Sequence, residues 1–157
     1  GDAGGGTDAS PDGISPTVQG YPGYTTSPTN GGGGGGAAGA GGVCQGGDGV
    51  QLPTTFQNPA VPLGATGNNS PFHPNPQTSG WWVCGGGSGQ APPVGYGSPM
   101  PGCGGQGGGG NGNPNVIINF GKHGRMCTGG GGGGGGQFAP DHGGNGGSGL
   151  ILIAYPT

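Results

Sequence analysis

Four cysteines (Cys44, Cys84, Cys103, Cys127) and three histidines (His73, His123, His142) are the side chains that could ligate a metal or move a proton. No two cysteines show the C-x-x-C spacing that presents paired thiolates to zinc, so neither a metal site nor any other cofactor is expected. Each cysteine instead borders a glycine-rich segment, as in Gly42-Val43-Cys44-Gln45-Gly46 and Trp82-Val83-Cys84-Gly85-Gly86. In a tight bundle such border positions come close together. An even number of cysteines allows two disulfides in any of three connectivities, whereas a chain that folds in a reducing compartment would keep small buried thiols. Both alternatives stand.

The histidines lie far apart and form no H-x-H pair. His123 is flanked by Lys122 and Arg125, the only two cations of the chain, in a spot that could hold an anion; solvated loop positions are the plainer reading. Nucleophile motifs fail, since neither Ser88 nor Ser148 completes G-x-S-x-G, and Gly121-Lys122-His123 lacks the hydroxyl of a phosphate-binding loop. The carboxylates are Asp2, Asp8, Asp12, Asp48 and Asp141, with no glutamate, which makes a glycosidase pair accidental at best. Asn68-Asn69-Ser70 is a formal glycosylation sequon, but Pro71 follows it. An enzyme is not expected.

Aromatic residues are more informative. Trp81 and Trp82 adjoin a long loop that also holds Phe56, Phe72 and His73, and Tyr96 sits in a second one. Exposed Trp and Tyr make good platforms for a partner or a sugar face, which singles out Phe72, His73, Trp81, Trp82 and Tyr96 as candidates for receptor contact. The competing reading is that they cover the flanks of the fold and pack on proline, because so little other apolar material exists.

These side chains must be positioned by a chain of 157 residues with 51 glycines and 17 prolines, only 27% hydrophobic and 4% charged. Such a composition cannot fill an ordinary globular core, yet a net charge of only −3 is unlike a disordered chain. Two cations exclude a nucleic-acid footprint, and the longest apolar run, residues 150–154, is far too short to span a bilayer. Glycine runs such as residues 31–36 and 129–136 break the G-X-Y phase, so collagen is excluded.

Glycine loses roughly 0.5–1 kcal/mol more than alanine on ordering, so the compensation must be systematic, and the backbone can supply it. In a polyproline-II-like helix the N–H and C=O groups point sideways, and with no Cβ in the way neighbouring helices can bond laterally. The expected fold is therefore irregular and mainly non-helical: a polyglycine-II helix bundle with a few short β-strands and long Pro/Asn-rich loops. Glycine-rich segments at 31–42, 85–89, 104–112, 129–136 and 143–149 are the rods; residues 7–29, 50–82, 91–103 and 113–127 lie between them. The apolar runs at 116–120 and 150–155 read as short buried strands, the latter closing the bundle. A single domain over residues 1–157 is expected, forming the C-terminal part of a longer or processed chain.

The ending Gly143-Gly144-Asn145-Gly146-Gly147-Ser148-Gly149-Leu150-Ile151-Leu152-Ile153-Ala154-Tyr155-Pro156 resembles the close of glycine-rich domains in tail-fibre and other virion structural proteins of tailed bacteriophages. Residues 30–42 and 56–67 are similar to them in style. The departure is that no apolar strand precedes Gly4 to pair with the closing one, so either the chain is a C-terminal fragment or the closing strand pairs with residues 116–120 instead. The resemblance implies polyglycine-II packing, with loops between the rods that touch a host receptor. It points to a virion-surface protein, a fibre, spike or decoration element, whose partners are other virion proteins and a host glycan or protein. Trimers would follow if it is a fibre; neither nucleic acid nor membrane insertion is expected. The alternative is a free extracellular glycine-rich protein that binds ice or a polymer, or a structural filament subunit.

Overall fold

The computed structural model describes residues 20–25, 31–60, 63–65, 67, 73, 79–90, 102–113, 120–135 and 142–155. Among them there is no α-helix. The regular elements are β1 (Val50–Gln51), a single 3-10 turn (Thr54–Phe56) and β2 (Trp82–Val83). β1 and β2 are antiparallel, with Val50 opposite Val83 and Gln51 opposite Trp82. The rest of the described chain belongs to no helix or strand, and its order lies in lateral main-chain hydrogen bonds.

These bonds recur every three residues. Gly34 and Ala37 donate to the carbonyls of Gly87 and Cys84, an antiparallel pairing, while Cys44 and Gly47 donate to Gly31 and Gly34, a parallel one. The same step links Gly131 and Gly134 to Gly85 and Ser88, Gly110 and Asn113 to Gly131 and Gly134, and Gly144 and Gly147 to Gly133 and Gly130. A β-ladder would instead return to the same neighbour at alternate residues. With a step of three, the intervening residues address other neighbours, and one segment can be bonded on several sides. Residues 84–89 show this most fully. They exchange bonds with residues 34–37, with Gly47, with residues 105–110 and with residues 128–134, and residues 85–89 are all buried.

The interior is thus main chain. Among the described residues the only buried hydrophobic side chains are Cys44, Leu52, Ala65, Val83 and Cys103, whereas Gln106, Asn113 and Thr128 are buried and polar. Side-chain oxygens supplement the carbonyls as acceptors of main-chain N–H groups. Asn111 Oδ1 accepts from Gly104 N at 2.8 Å, Thr128 Oγ1 from Gly130 N at 3.1 Å, and Ser88 Oγ from Gly112 N. This satisfies the rule that buried main-chain donors are paired. The long glycine runs at 31–36 and 129–135 lie within the network, as expected; Gly136 is outside the described residues.

The expected closing strand is not there. Residues 150–155 form no strand, and Ile151, Ile153 and Tyr155 are 86%, 67% and 80% exposed. Apolar density implies burial only where a fold has an apolar interior to enter, and here the interior is already filled by glycine backbone. Of the other apolar run, residues 116–119 lie outside the described residues; Phe120 is exposed and stacks on His142, with ring centroids 5.8 Å apart.

Close approach makes individual glycines irreplaceable. A Cβ on Gly46 would be driven into the carbonyl oxygen of Gly86, with Gly105 N 2.7 Å away on the other flank, and neither backbone can retreat without breaking its own bonds. A Cβ on Gly149 would meet nothing within 4 Å. Gly46→Ala should therefore destabilise by about 3 kcal/mol or more, while Gly149→Ala should be neutral or gain up to about 1 kcal/mol from the stiffer unfolded chain. Thermal unfolding followed by circular dichroism checks both; equal melting temperatures for the two variants would refute the main-chain packing.

Candidate functional site

The sequence singled out five residues for receptor contact, and the structure does not bring them together as one exposed face. Phe72 and Tyr96 lie outside the described residues. His73 is buried, only 3% exposed. Its Nε2 stands 3.2 Å from Asp48 Oδ1, an ion-pair distance rather than a well-formed hydrogen bond. The reading of His73 as a surface contact is corrected accordingly: the side chain is buried against Asp48, which offers a buried polar ring the partner it needs.

Asp48 belongs to the segment 44–49, which joins the rods through Gly46 and Gly49, donors to Cys103 and Gln106. Its Oδ1 also accepts the Gln106 N–H at 2.9 Å. Burial works to raise the Asp48 pKa, but the contact with His73, the Gln106 N–H and the His73 charge together outweigh it and hold the carboxyl below its ordinary value.

Trp81 and Trp82 are half-buried at the base of the 50–82 loop. Trp82 lies between two neighbours: it is paired with Gln51 in the sheet, and it exchanges main-chain bonds with Ala65 at 2.7 and 3.0 Å. Trp81 holds a left-handed φ of 64°, a conformation that L residues adopt at a cost of about 1–2 kcal/mol, and its carbonyl accepts from Leu52 N. The two indoles thus sit where the loop leaves the rods, which accords with a bracing role and leaves part of each surface accessible.

All four cysteines are thiols and no disulfide joins them, so the disulfide expectation is corrected to the buried-thiol alternative for Cys44 and Cys103 and to exposed thiols for Cys84 and Cys127. Three of them turn corners: Cys44, Cys84 and Cys127 have φ of 57°, 58° and 58°, each just before a glycine segment. The Cys44 thiol points to the Gln90 carbonyl at 3.0 Å, and burial pushes its pKa up, so it stays protonated and unreactive at neutral pH. Among the described residues no three His, Cys or Asp side chains gather as a metal site.

A second feature is a cleft. Lys122, His123 and Arg125 line an open cavity of ≈ 260 Å³ together with Asn111, Ala65 and the glycines 105 and 108–110. Its geometry follows from the three-residue step. Lys122 N donates to Asn111 O at 2.9 Å and Arg125 N to Gly108 O at 2.9 Å, so residues 122 and 125 are both bonded to the same neighbouring segment. The chain's only two cations, set three residues apart in sequence, are thereby brought to one cavity. His123 is fixed differently: its Nδ1 accepts the Asn145 N–H at 2.8 Å, which places the proton of the neutral ring on Nε2. Ala65 belongs to the loop that carries the tryptophans, so the cleft borders the loop base.

Sequence reasoning found the cationic spot but not its walls. The signal was the nearness in sequence of His123 to Lys122 and Arg125, the only two cations of the chain. Asp48 gave no signal; it lies within Gly46-Gly47-Asp48-Gly49, and nothing local ties it to His73. Comparison with protein-family models, with curated proteins and with solved structures gives no match for this chain.

The Asp48 pair has a pH signature. A carboxyl whose folded pKa is depressed contributes stability above its unfolded value, about 3.9, and loses it as pH falls through the lower folded value. Asp48→Asn is expected to cost about 1–3 kcal/mol at pH 7. The gap from the parent protein should begin to narrow as the pH falls below about 4 and close only below the depressed folded pKa, where both carry a neutral side chain. Denaturant midpoints measured from pH 7 to pH 2 test this; a gap that persists unchanged at the acid end counts against the pairing.

Proposed function

We propose that this chain is a non-enzymatic display scaffold, a bundle of polyglycine-II helices holding Pro/Asn-rich loops at a virion surface, where it serves as a fibre, spike or decoration element in host attachment. The observation that carries the reading is the three-residue recurrence of lateral main-chain bonds. It equals the three residues per turn of the polyproline-II conformation. Bonding on several sides of residues 84–89 fits helices packed as a bundle rather than strands in a sheet. The phage-like ending at residues 143–156 supports the placement on a virion.

Display follows from where the stability resides. Main-chain bonds between glycines place no demand on the intervening loops, so loop sequence is free to serve recognition, and binding residues concentrate on loops held by rigid scaffolds. Weak single contacts suffice when many copies act on one particle. Other virion proteins and a host-surface glycan or protein are the proposed partners; within the described residues no helix is long and apolar enough to cross a membrane.

Two measurements address the two halves of the proposal. Unfolding of a bundle held by main-chain bonds exposes much polar and little apolar surface, so its heat-capacity change should fall below the roughly 12–15 cal/mol/K per residue of ordinary domains. Scanning calorimetry giving a value inside or above that range would count against the polyglycine-II scaffold. For attachment, particles carrying Trp81→Ala and Trp82→Ala should assemble normally and lose host adsorption. Normal adsorption with fibres missing or detached would assign the loop to assembly instead.

A further inference from the structure

The rod at residues 143–149 lies at an edge of the bundle. Among the described residues its main-chain bonds run only to residues 121–124 and 128–133. Gly144 and Gly147 donate to the carbonyls of Gly133 and Gly130, and the carbonyls of His142 and Asn145 accept from Gly121 and Gly124. Residues 84–89, by contrast, are bonded to four segments. The remaining row of the edge rod, Gly143, Gly146 and Gly149, is exposed and has no hydrogen-bond partner among the described residues. Such a row of main-chain donors and acceptors is to this bundle what an unpaired edge strand is to a sheet, a template for one more chain.

Each end of this edge carries an exposed apolar patch. At its start, exposed Phe120 stacks on His142, whose carbonyl accepts the Gly121 amide. At its other end, Ile151, Ile153 and Tyr155 stand out from the bundle. Exposed apolar groups gathered along one edge mark an interaction site, and the chemistry that fits this one is narrow. An incoming segment must bring main chain without Cβ atoms and then supply apolar side chains. Residues 143–155 have that composition themselves, glycine-rich first and Leu-Ile-Leu-Ile-Ala-Tyr after, with no charged side chain to repel a copy.

We infer that residues 143–155 bind a second copy of this chain, the two 143–149 rods lying antiparallel and residues 151–155 of each copy covering the Phe120–His142 stack of the other. Pairing centred on Gly146 sets Gly143 opposite Gly149 and His142 opposite Leu150. The residues after Leu150 in one copy then run past the aromatic stack of its partner. A two-fold operation makes each contact twice and closes the assembly, leaving neither row open. Antiparallel rods already bond in this way within the bundle, as Gly144 and Gly147 do with Gly133 and Gly130. A parallel pair would join like patches and leave the complementary ones apart. The inference stands apart from the chain's place on a virion, and the isolated protein tests it.

Sedimentation of the full chain over a wide concentration range should show a monomer–dimer equilibrium. Gly149→Val adds a side chain whose Cβ meets nothing within its own chain. It should leave the melting curve of the dilute protein unchanged and weaken dimerisation roughly tenfold or more, by holding the second rod away. Ile151→Ser with Ile153→Ser should weaken it similarly, since both side chains are exposed in the single chain. The unaltered protein gives an independent readout: in a mixture of isotope-labelled and unlabelled chains, the Ile151 and Ile153 methyls of one copy should show contacts to the Phe120 ring of another. A chain that stays monomeric throughout, or a dimer undiminished by both sets of changes, would overturn the interface. A trimer, or assemblies that grow without limit, would overturn the two-fold closure. Contacts between the isoleucine methyls of two copies in place of Phe120 would overturn the antiparallel arrangement.

Discussion

Two main chains can bond side by side, in several directions at once, only where neither carries a Cβ toward the other. Everything else in this structure follows from that constraint. Residues 84–89 meet four neighbouring segments through their own N–H and C=O groups, and the cost of ordering glycine is offset by bonds that a chain with side chains could not make. Few side chains enter the interior, and several polar ones take part in the network. Ser88, Asn111, Asp48 and Thr128 each receive a main-chain N–H through a side-chain oxygen, so these polar side chains add to the carbonyls as acceptors.

An interior of this kind inverts the usual meaning of apolar residues. Where a hydrophobic core drives folding, Ile151 and Ile153 would be drawn inward; here the inside offers no apolar volume, and they point out. Charges are displaced in the same way. Lys122 and Arg125 can sit on a rod only because their N–H groups use one side of the segment while the side chains leave toward the cleft. Asp48 is the exception that enters, and it does so with two partners, the Gln106 amide and His73.

What could be read from the sequence matches this division. The glycine runs at 31–36 and 129–135 were legible because composition and entropy admit few other ordered states. The cationic spot was legible as a spot, and its conversion into a cleft required the register that sets residues 108–111 against residues 122–125. Residues 150–155 were misjudged because apolar density was equated with burial. His73 was misjudged because its partner is 25 positions upstream in a glycine run and only the fold of the loop unites them. The corner positions Cys44, Cys84 and Cys127 were noticed as borders, but their left-handed φ carries no sequence mark, since glycine or asparagine is the residue such a corner favours.

The separation of main-chain stability from side-chain chemistry also bears on how side chains can vary on this scaffold. In a domain with a hydrophobic core, a change of loop residue often reaches the packing beneath it. Here the rods are joined by bonds that no side chain mediates, apart from the few mending residues, so the loop base at Trp81–Trp82 and the cleft at Lys122–Arg125 can each be altered with little demand on the bundle. The exceptions are the residues that tie loop to rod: His73 through Asp48, and Ala65 through its main-chain exchange with Trp82. One tie is a side-chain contact and the other a main-chain exchange, so a change of side chain at His73 or Asp48 reaches from loop to bundle, whereas the Ala65 tie is indifferent to the side chain.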